Sequence, residues 1–265
     1  MTLLRAFVER DVRLALSYPS TLITPFASVA LTVAGFAFLA RIVNPHAALD
    51  AGGRHIDYFS YVVVNLAFML VLNVALQCVP AALRRDQVAG TLEPMLGSPA
   101  PVLAIVFASA AWPICFALLQ GAAYIGVAMI FGLRIAQVDA PLLALFLALG
   151  GACAASMGAL GAAAVIAFKQ GAPSTFFVGS AATLLTGVLF PVALLPEPLQ
   201  YVSWLLPLTH TLRGARTAMA GGGVSPVQGD ALWLAAATLI LLPAGIYALH
   251  AAITHAKRDG SLSAY

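Results

Sequence analysis

Hydrophobic positions fall into long unbroken runs separated by short polar stretches, and the periodicity within each run predicts its element. Near the start, Leu3, Leu4, Phe7, Val8, Val12 and Leu14 recur with helical spacing, while Arg5, Glu9, Arg10 and Arg13 share the other face. Asp11 intrudes on the apolar side. Such a helix lies in a membrane interface, and Tyr18-Pro19 ends it. Six apolar runs follow, at residues 21–43, 58–83, 102–133, 141–168, 174–195 and 231–254. Each reaches the roughly 20 residues that cross a bilayer. The third exceeds one straight crossing at about 1.5 Å per residue, so it protrudes or kinks near Trp112-Pro113. Residues 44–57 read as a polar loop, and Gly221-Gly222-Gly223 as a flexible link.

One apolar run is different. Residues 199–208 cover only half a membrane, and Pro191, Pro196, Pro198 and Pro207 interrupt the backbone around them. That length suits a re-entrant or interfacial segment, with Gln200, Tyr201 and Trp204 at headgroup level. The expected outer re-entrant segment is 196–223.

Composition decides what kind of helical protein this is. Of 265 residues, 62% are hydrophobic and 9% charged, against about 25% charged in a soluble domain; mean hydropathy is +0.96. The chain cannot cover itself with polar surface. A membrane barrel needs alternating apolar and polar residues, which the Leu/Ala/Val runs lack, and helices remain as the way to satisfy backbone groups in lipid. The predicted fold is an all-α integral membrane protein with six transmembrane helices, a single domain over 1–265. Cys78, Cys115 and Cys153 all fall in apolar runs, without metal or disulfide spacing, and are expected as buried thiols. A net charge of +3 is too small to imply nucleic acid. No signal peptide is expected, because the first apolar run is long and follows about twenty amphipathic residues.

Six spans put both termini on one side. With them inside, inner segments hold Arg5, Arg10, Arg13, Arg84, Arg85, Lys169, Lys257 and Arg258, and outer ones Arg41, Arg54, Arg134, Arg213 and Arg216. The bias places both termini and the loop after the second span in the cytoplasm. Within the second span, Asn65, Met69, Asn73 and Gln77 recur every four residues on one drifting stripe. Such side chains face protein or water; interhelical hydrogen bonding, worth about 0.6 kcal/mol each, weighs ahead of cargo contact. In the fourth, Gly150, Ala154, Gly158 and Ala162 permit close helix approach.

Several chemistries have no residues to carry them. There is no G-x-x-x-x-G-K-[ST] phosphate loop, and the only lysines, Lys169 and Lys257, fit none. His46, His55, His210, His250 and His255 do not cluster as zinc ligands. No predicted span carries a charge deep in its core, which argues against a proton-coupled carrier; nor do the halves show an inverted repeat. His210 with Arg213 and Arg216 suits an anionic headgroup or, by preference, an interfacial helix end.

The densest polar patch between two long apolar runs is residues 83–101, L-R-R-D-Q-V-A-G-T-L-E-P-M-L-G-S-P-A-P. Its Leu92, Met95 and Leu96, rimmed by charge, suggest a docking surface; the plainer reading is a loop holding basic topology residues. The run R-R-D-Q-V-A-G-T-L-E-P-M-L-G-S-P resembles the first intracellular loop of type-2 ATP-binding-cassette (ABC-2) exporter permeases. A second stretch, F-P-V-A-L-L-P-E-P-L-Q-Y-V-S-W-L-L-P-L-T-H-T-L-R-G-A-R at 190–216, is similar to the outer segment before that family's last span. The resemblance spans nearly the whole chain. Among ABC-2 permeases its outer pattern is similar to the branch exporting lipo-oligosaccharides, and drug exporters share much of it.

That resemblance implies a homodimer, or a pair with a similar permease, in an inner cell membrane. Two separate ATPase subunits would bind ATP and Mg, with no cofactor on this chain. It implies a coupling helix in 84–100, with Leu92, Met95 and Leu96 as anchors, Arg84, Arg85 and Glu93 as ionic partners, and Gly90 and Thr91 completing the loop. The second and fifth spans would line the cargo path, placing Asn65, Met69, Asn73, Gln77, Thr183 and Thr186 along it. Tyr201, Trp204 and His210 would belong to an outer lid. Two other classes stay open: an ATP-independent carrier or channel, and a non-transporting membrane scaffold.

Overall fold

The structure, a computed structural model, describes residues 3–42, 49–50, 55–88, 90, 102–133, 138–168 and 183–258. Helix α1 (Leu3–Ser17) is followed after Tyr18 by α2 (Pro19–Ile42). Pro19 sits at the first helical position, where its missing N–H costs nothing. α2 is apolar on every side and buries only Val29 and Val33, as a helix facing lipid does.

Between α2 and α3 (Tyr58–Val88) the expected loop contains a small hairpin, β1 (Leu49–Asp50) against β2 (His55–Ile56). Asp57 caps α3, its carboxylate accepting from Ser60 N at 3.1 Å and Ser60 Oγ at 2.7 Å. α4 (Val102–Ile130) runs as one helix through Pro113 and beyond the length of a straight crossing. α5 (Ala140–Phe168) is capped by Asp139, which accepts from Leu142 N at 3.1 Å. A 3-10 turn (Val192–Leu194) leads to α6 (Glu197–Leu205), α7 (Pro207–Met219), a second 3-10 turn (Ser225–Val227) and α8 (Gln228–Arg258). Among the described residues, five helices are long and apolar enough to cross a membrane: α2, α3, α4, α5 and α8.

α3 is the buried axis. It packs against α4 on one side and α5 on the other, and α8 lies along α5. One core cluster joins Val63, Phe68 and Leu72 of α3 to Val33, Tyr124, Ala128 and Leu212. Further along α3, Cys78, Val79 and Leu83 meet Val106, Ala110, Leu249 and Ile253. The small residues of α5 make these approaches possible. A Cβ on Gly158 would lie 2.1 Å from the Leu76 carbonyl oxygen, and one on Gly150 2.2 Å from Thr211 Cγ2, while Ala154 and Ala162 are buried. The four-residue repeat is therefore the seam of α5 with α3 and α7.

The bundle has two distinguishable ends. α1 packs against α4, and its Arg10 and Asp11 neighbour Asp86 in the last turn of α3. α7 packs at the opposite end, against the start of α5: Asp139 N donates to Ala218 O at 2.9 Å, and Phe146 lies where a Cβ on Gly214 would stand.

Four expectations change. The first part of the fifth expected span, 174–182, lies outside the described residues. Its described remainder is helical only over Thr183–Leu185 and then breaks into turn, bend and 3-10 geometry well before residue 195. Gly187 at φ +73° and Pro191 cannot continue a right-handed helix. Gly221 and Gly222 are an ordered stop to α7 and no loose link: Gly221 N donates to Ala218 O and Gly222 N to Thr217 O, a Schellman closure with Gly221 at φ +70°. α8 starts three residues earlier than expected, which brings Asp230 into its first turn. Cys78 and Cys153 are buried but Cys115 is exposed on α4, which a lipid-facing apolar position allows.

Candidate functional site

At the α1 end, Asp11 is the one buried residue of its helix, 5% exposed. Arg10 makes its apolar placement tolerable: Nε and Nη2 both reach Asp11 Oδ1 at 2.8 Å. Asp11 Oδ2 has no hydrogen-bond partner among the described residues. Arg10 also stacks over Phe7, 4.6 Å from the ring centroid, and Arg13 pairs with Glu9 one turn back. Arg84 and Arg85 are exposed near the end of α3, Arg85 in its last turn, where a cation complements the helix's partial negative charge. With Arg10, Asp11 and Asp86 they form a charged collar around the point where the chain leaves α3. Gly90 is exposed at φ +66°. Thr91, Leu92, Glu93, Met95 and Leu96 lie outside the described residues.

Toward the α7 end, the Gly187 carbonyl is the hub of a buried polar knot. It accepts from Tyr61 Oη at 2.8 Å, Asn65 Nδ2 at 3.3 Å and Arg216 Nη1 at 3.4 Å. Asn65 also donates to Val188 O at 3.0 Å and accepts from Arg216 Nη1 at 3.0 Å. The Arg216 guanidinium lies 4.8 Å from the Tyr61 ring centroid, a cation–π contact. α3, the 186–188 turn and α7 are thereby tied together at groups with almost no solvent exposure.

A second polar cluster joins α6, α7 and α8. His210 Nδ1 is 2.6 Å from Asp230 Oδ1, and its Nε2 is 2.8 Å from the Trp204 carbonyl oxygen. Arg213 reaches the other Asp230 oxygen at 3.5 Å and sits over the Trp204 ring at 5.4 Å. The His210 ring stacks on Trp233, centroids 4.5 Å apart, and tilts against Trp204 at 5.8 Å. Ser203 donates to Leu185 O, pinning α6 to the end of the 183–185 helical turn.

The stripe on α3 divides. Asn65 and Met69 are buried inside the protomer, Asn73 and Gln77 half-buried. Thr186 is fully buried and Thr183 half-buried. Tyr201 is 78% exposed on α6 and Trp204 39%, whereas His210 is buried. Asp230, Tyr61 and Gly187 had no place among the expected site residues. The signal for Asp230 is an acid in the first turn of a helix, but which residue it meets depends on α7 folding back beneath α8. Gly187 and Tyr61 carry no sequence signal, because a main-chain carbonyl is the shared partner.

The model for the ABC-2 type transporter family matches residues 2–220, from α1 to the end of α7. Comparison with curated proteins returns no match. The match covers both polar clusters apart from Asp230 and Trp233, and both ends of the bundle. This chain therefore belongs to the ABC-2 type transporter family, as the multi-pass membrane-spanning permease subunit of an ABC-type transporter.

Proposed function

We propose that this permease works as an ATP-driven exporter subunit. It moves an amphipathic or lipid-linked cargo (lipo-oligosaccharide, polysaccharide, lipid or drug) out of the cytoplasm. In this reading it pairs with a second permease and rests on two ATPase subunits, which bind ATP and Mg. The α1 end faces the cytoplasm and both termini lie there. Closure of the ATPase dimer moves the loop carrying Gly90 to Leu96, and α3 carries that displacement into the membrane.

The observation that carries the reading is the charged collar at the α1 end. α1 and the last turn of α3 bring Arg10, Asp11, Arg85 and Asp86 together beside the point where the motif-bearing loop departs. A rigid helix that is buried along its length, with an ionic grip at its foot, transmits a push to its far end. There the Gly187 knot joins it to α7, so displacement at the foot reaches the segment before the last helix. Asn65 and Met69 serve that transmission from inside the protomer. Asn73, Gln77 and Thr183, which keep some exposure, are the better candidates for cargo contact.

Reconstitution in lipid vesicles tests the proposal. Permease and its ATPase together should move a fluorescent lipid-linked saccharide only with ATP and Mg, and hydrolysis should rise with cargo. Cargo flux through the permease alone, driven by its own gradient, would point instead to an ATP-independent carrier.

A further inference from the structure

The His210 cluster has a property that the export reading does not use, and it follows from donor and acceptor accounting alone. The Trp204 carbonyl can only accept, so the 2.8 Å contact requires a proton on His210 Nε2. Nδ1 lies 2.6 Å from an Asp230 carboxylate oxygen, and two lone pairs cannot be held at that distance. A second proton must therefore sit between Nδ1 and Oδ1. Neutral imidazole carries one ring proton and supplies only one of these contacts.

We infer that His210 and Asp230 form a buried proton-binding site that latches α6 and α7 to the start of α8. With the proton bound, one imidazole ring bridges the α6 carboxyl end and the α8 amino end. When the proton leaves to solvent, an imidazole and a carboxylate remain with acceptor facing acceptor. Either the ring turns and frees the Trp204 carbonyl, or the Asp230 contact opens. The first route releases α6 from the ring; the second releases the ring from α8 and leaves Arg213 on Asp230 as a remaining polar tie between α7 and α8.

The surroundings are built for such a device. From α8, Asp230 is the charged group that faces the ring; from α7 itself it is Arg213, on the second Asp230 oxygen. α6 offers only the Trp204 carbonyl and ring. On α5, the carboxylate nearest this end, Asp139, is occupied in capping its own helix. Arg216, further along α7, is engaged with Asn65 of α3. Trp233 stacks on the imidazole and Trp204 tilts against it, and His210 is buried from bulk water. Arg213 is 42% exposed and marks the rim through which a proton exchanges. Its guanidinium holds Asp230 in place when His210 lets go.

The site rests on the geometry of this chain alone, so its test needs no ATPase and no cargo. Three tryptophans are present, Trp112, Trp204 and Trp233; in a Trp112→Phe protein both remaining indoles contact His210. An imidazolium quenches indole emission more strongly than a neutral imidazole. Emission of the protein in lipid nanodiscs should rise in one step as pH is raised across about 5 to 8, the interval in which histidine is the side chain that exchanges a proton. Over the same step, amide exchange across 197–219, corrected for intrinsic rates, should rise at least about tenfold, the scale of one lost charge-assisted hydrogen bond. His210→Gln should flatten both curves, and Asp230→Asn, whose amide can donate to Nδ1 of a neutral ring, should remove the step in amide exchange. Wild-type emission and exchange that stay flat across this range would overturn the site. So would a step that persists in His210→Gln, or an exchange step that persists in Asp230→Asn.

Discussion

At Gly187 a single backbone position does several jobs. Its φ of +73° belongs to the left-handed region, and an added Cβ would stand 2.9 Å from Val192 Cγ2. Its carbonyl satisfies Tyr61, Asn65 and Arg216 together. Gly187→Ala should cost about 1–3 kcal/mol through backbone strain, with more if the carbonyl turns away from its donors. A lowered midpoint in a thermal denaturation series in detergent would register this; an unchanged midpoint would show that the knot is dispensable. The sequence exposes part of this arrangement. Asn65 belongs to a readable polar stripe, and side-chain bonding within the bundle is what the structure assigns to it. The acceptor is invisible in advance, because any residue can present a carbonyl and only folding decides which one is turned inward.

Among the elements, α5 was readable as a packing helix from its repeat of small residues, and Gly158, in that repeat, contrasts with Gly161, outside it. A Cβ at Gly158 meets the Leu76 carbonyl at 2.1 Å, while one at Gly161 meets nothing within 4 Å. Gly158→Ala should therefore destabilise by about 1–3 kcal/mol through overpacking against backbone. Gly161→Ala should be neutral or stabilising by about 0.5–1 kcal/mol from helix propensity. Melting the two variants side by side in detergent checks the difference, and equal midpoints would remove the seam. α6 and α7 were readable as interrupted by proline and too short to cross, and they are two helices of 9 and 13 residues meeting at an extended Leu206. What could not be read is that α7 is buried almost throughout. Its hydroxyls, His210 and Arg216 look like surface chemistry until partners on α3, α5 and α8 fold around them. Trp204, half-exposed and in contact with both His210 and Arg213, is the handle on this element. Trp204→Ala should change export rate or cargo range while ATPase binding, measured by co-purification, stays at the wild-type level. Unchanged export would leave the fold standing and take the lid role from α6.

At the scale of the whole molecule, hydropathy and positive charge predict the topology, in which α1 and the loop after α3 share a side; α1 packs against α4, and its Arg10 and Asp11 lie near Asp86 at the end of α3. Single cysteines at Gln87, Gly53 and Gly222, in a protein lacking Cys78, Cys115 and Cys153, should react with an impermeant maleimide in a set order. Gly53 and Gly222 positions label in intact cells; the Gln87 position labels only after permeabilisation. Labelling of position 87 from outside would invert the molecule and end the coupling proposal. The proposed coupling runs from an ATPase at the α1 end to cargo movement through the bundle, and Glu93 is the residue at which it is most exposed to test. In the coupling proposal Glu93 is an acid beside apolar anchors at the ATPase contact, and removing one partner of a buried charge pair typically costs about 2–5 kcal/mol. The direct measurement is ATP-driven cargo transport, with coupled hydrolysis, by Glu93→Arg permease at wild-type density in vesicles containing the ATPase. Loss of both, with membrane insertion intact, is the predicted result; transport and coupled hydrolysis at wild-type rates would contradict it.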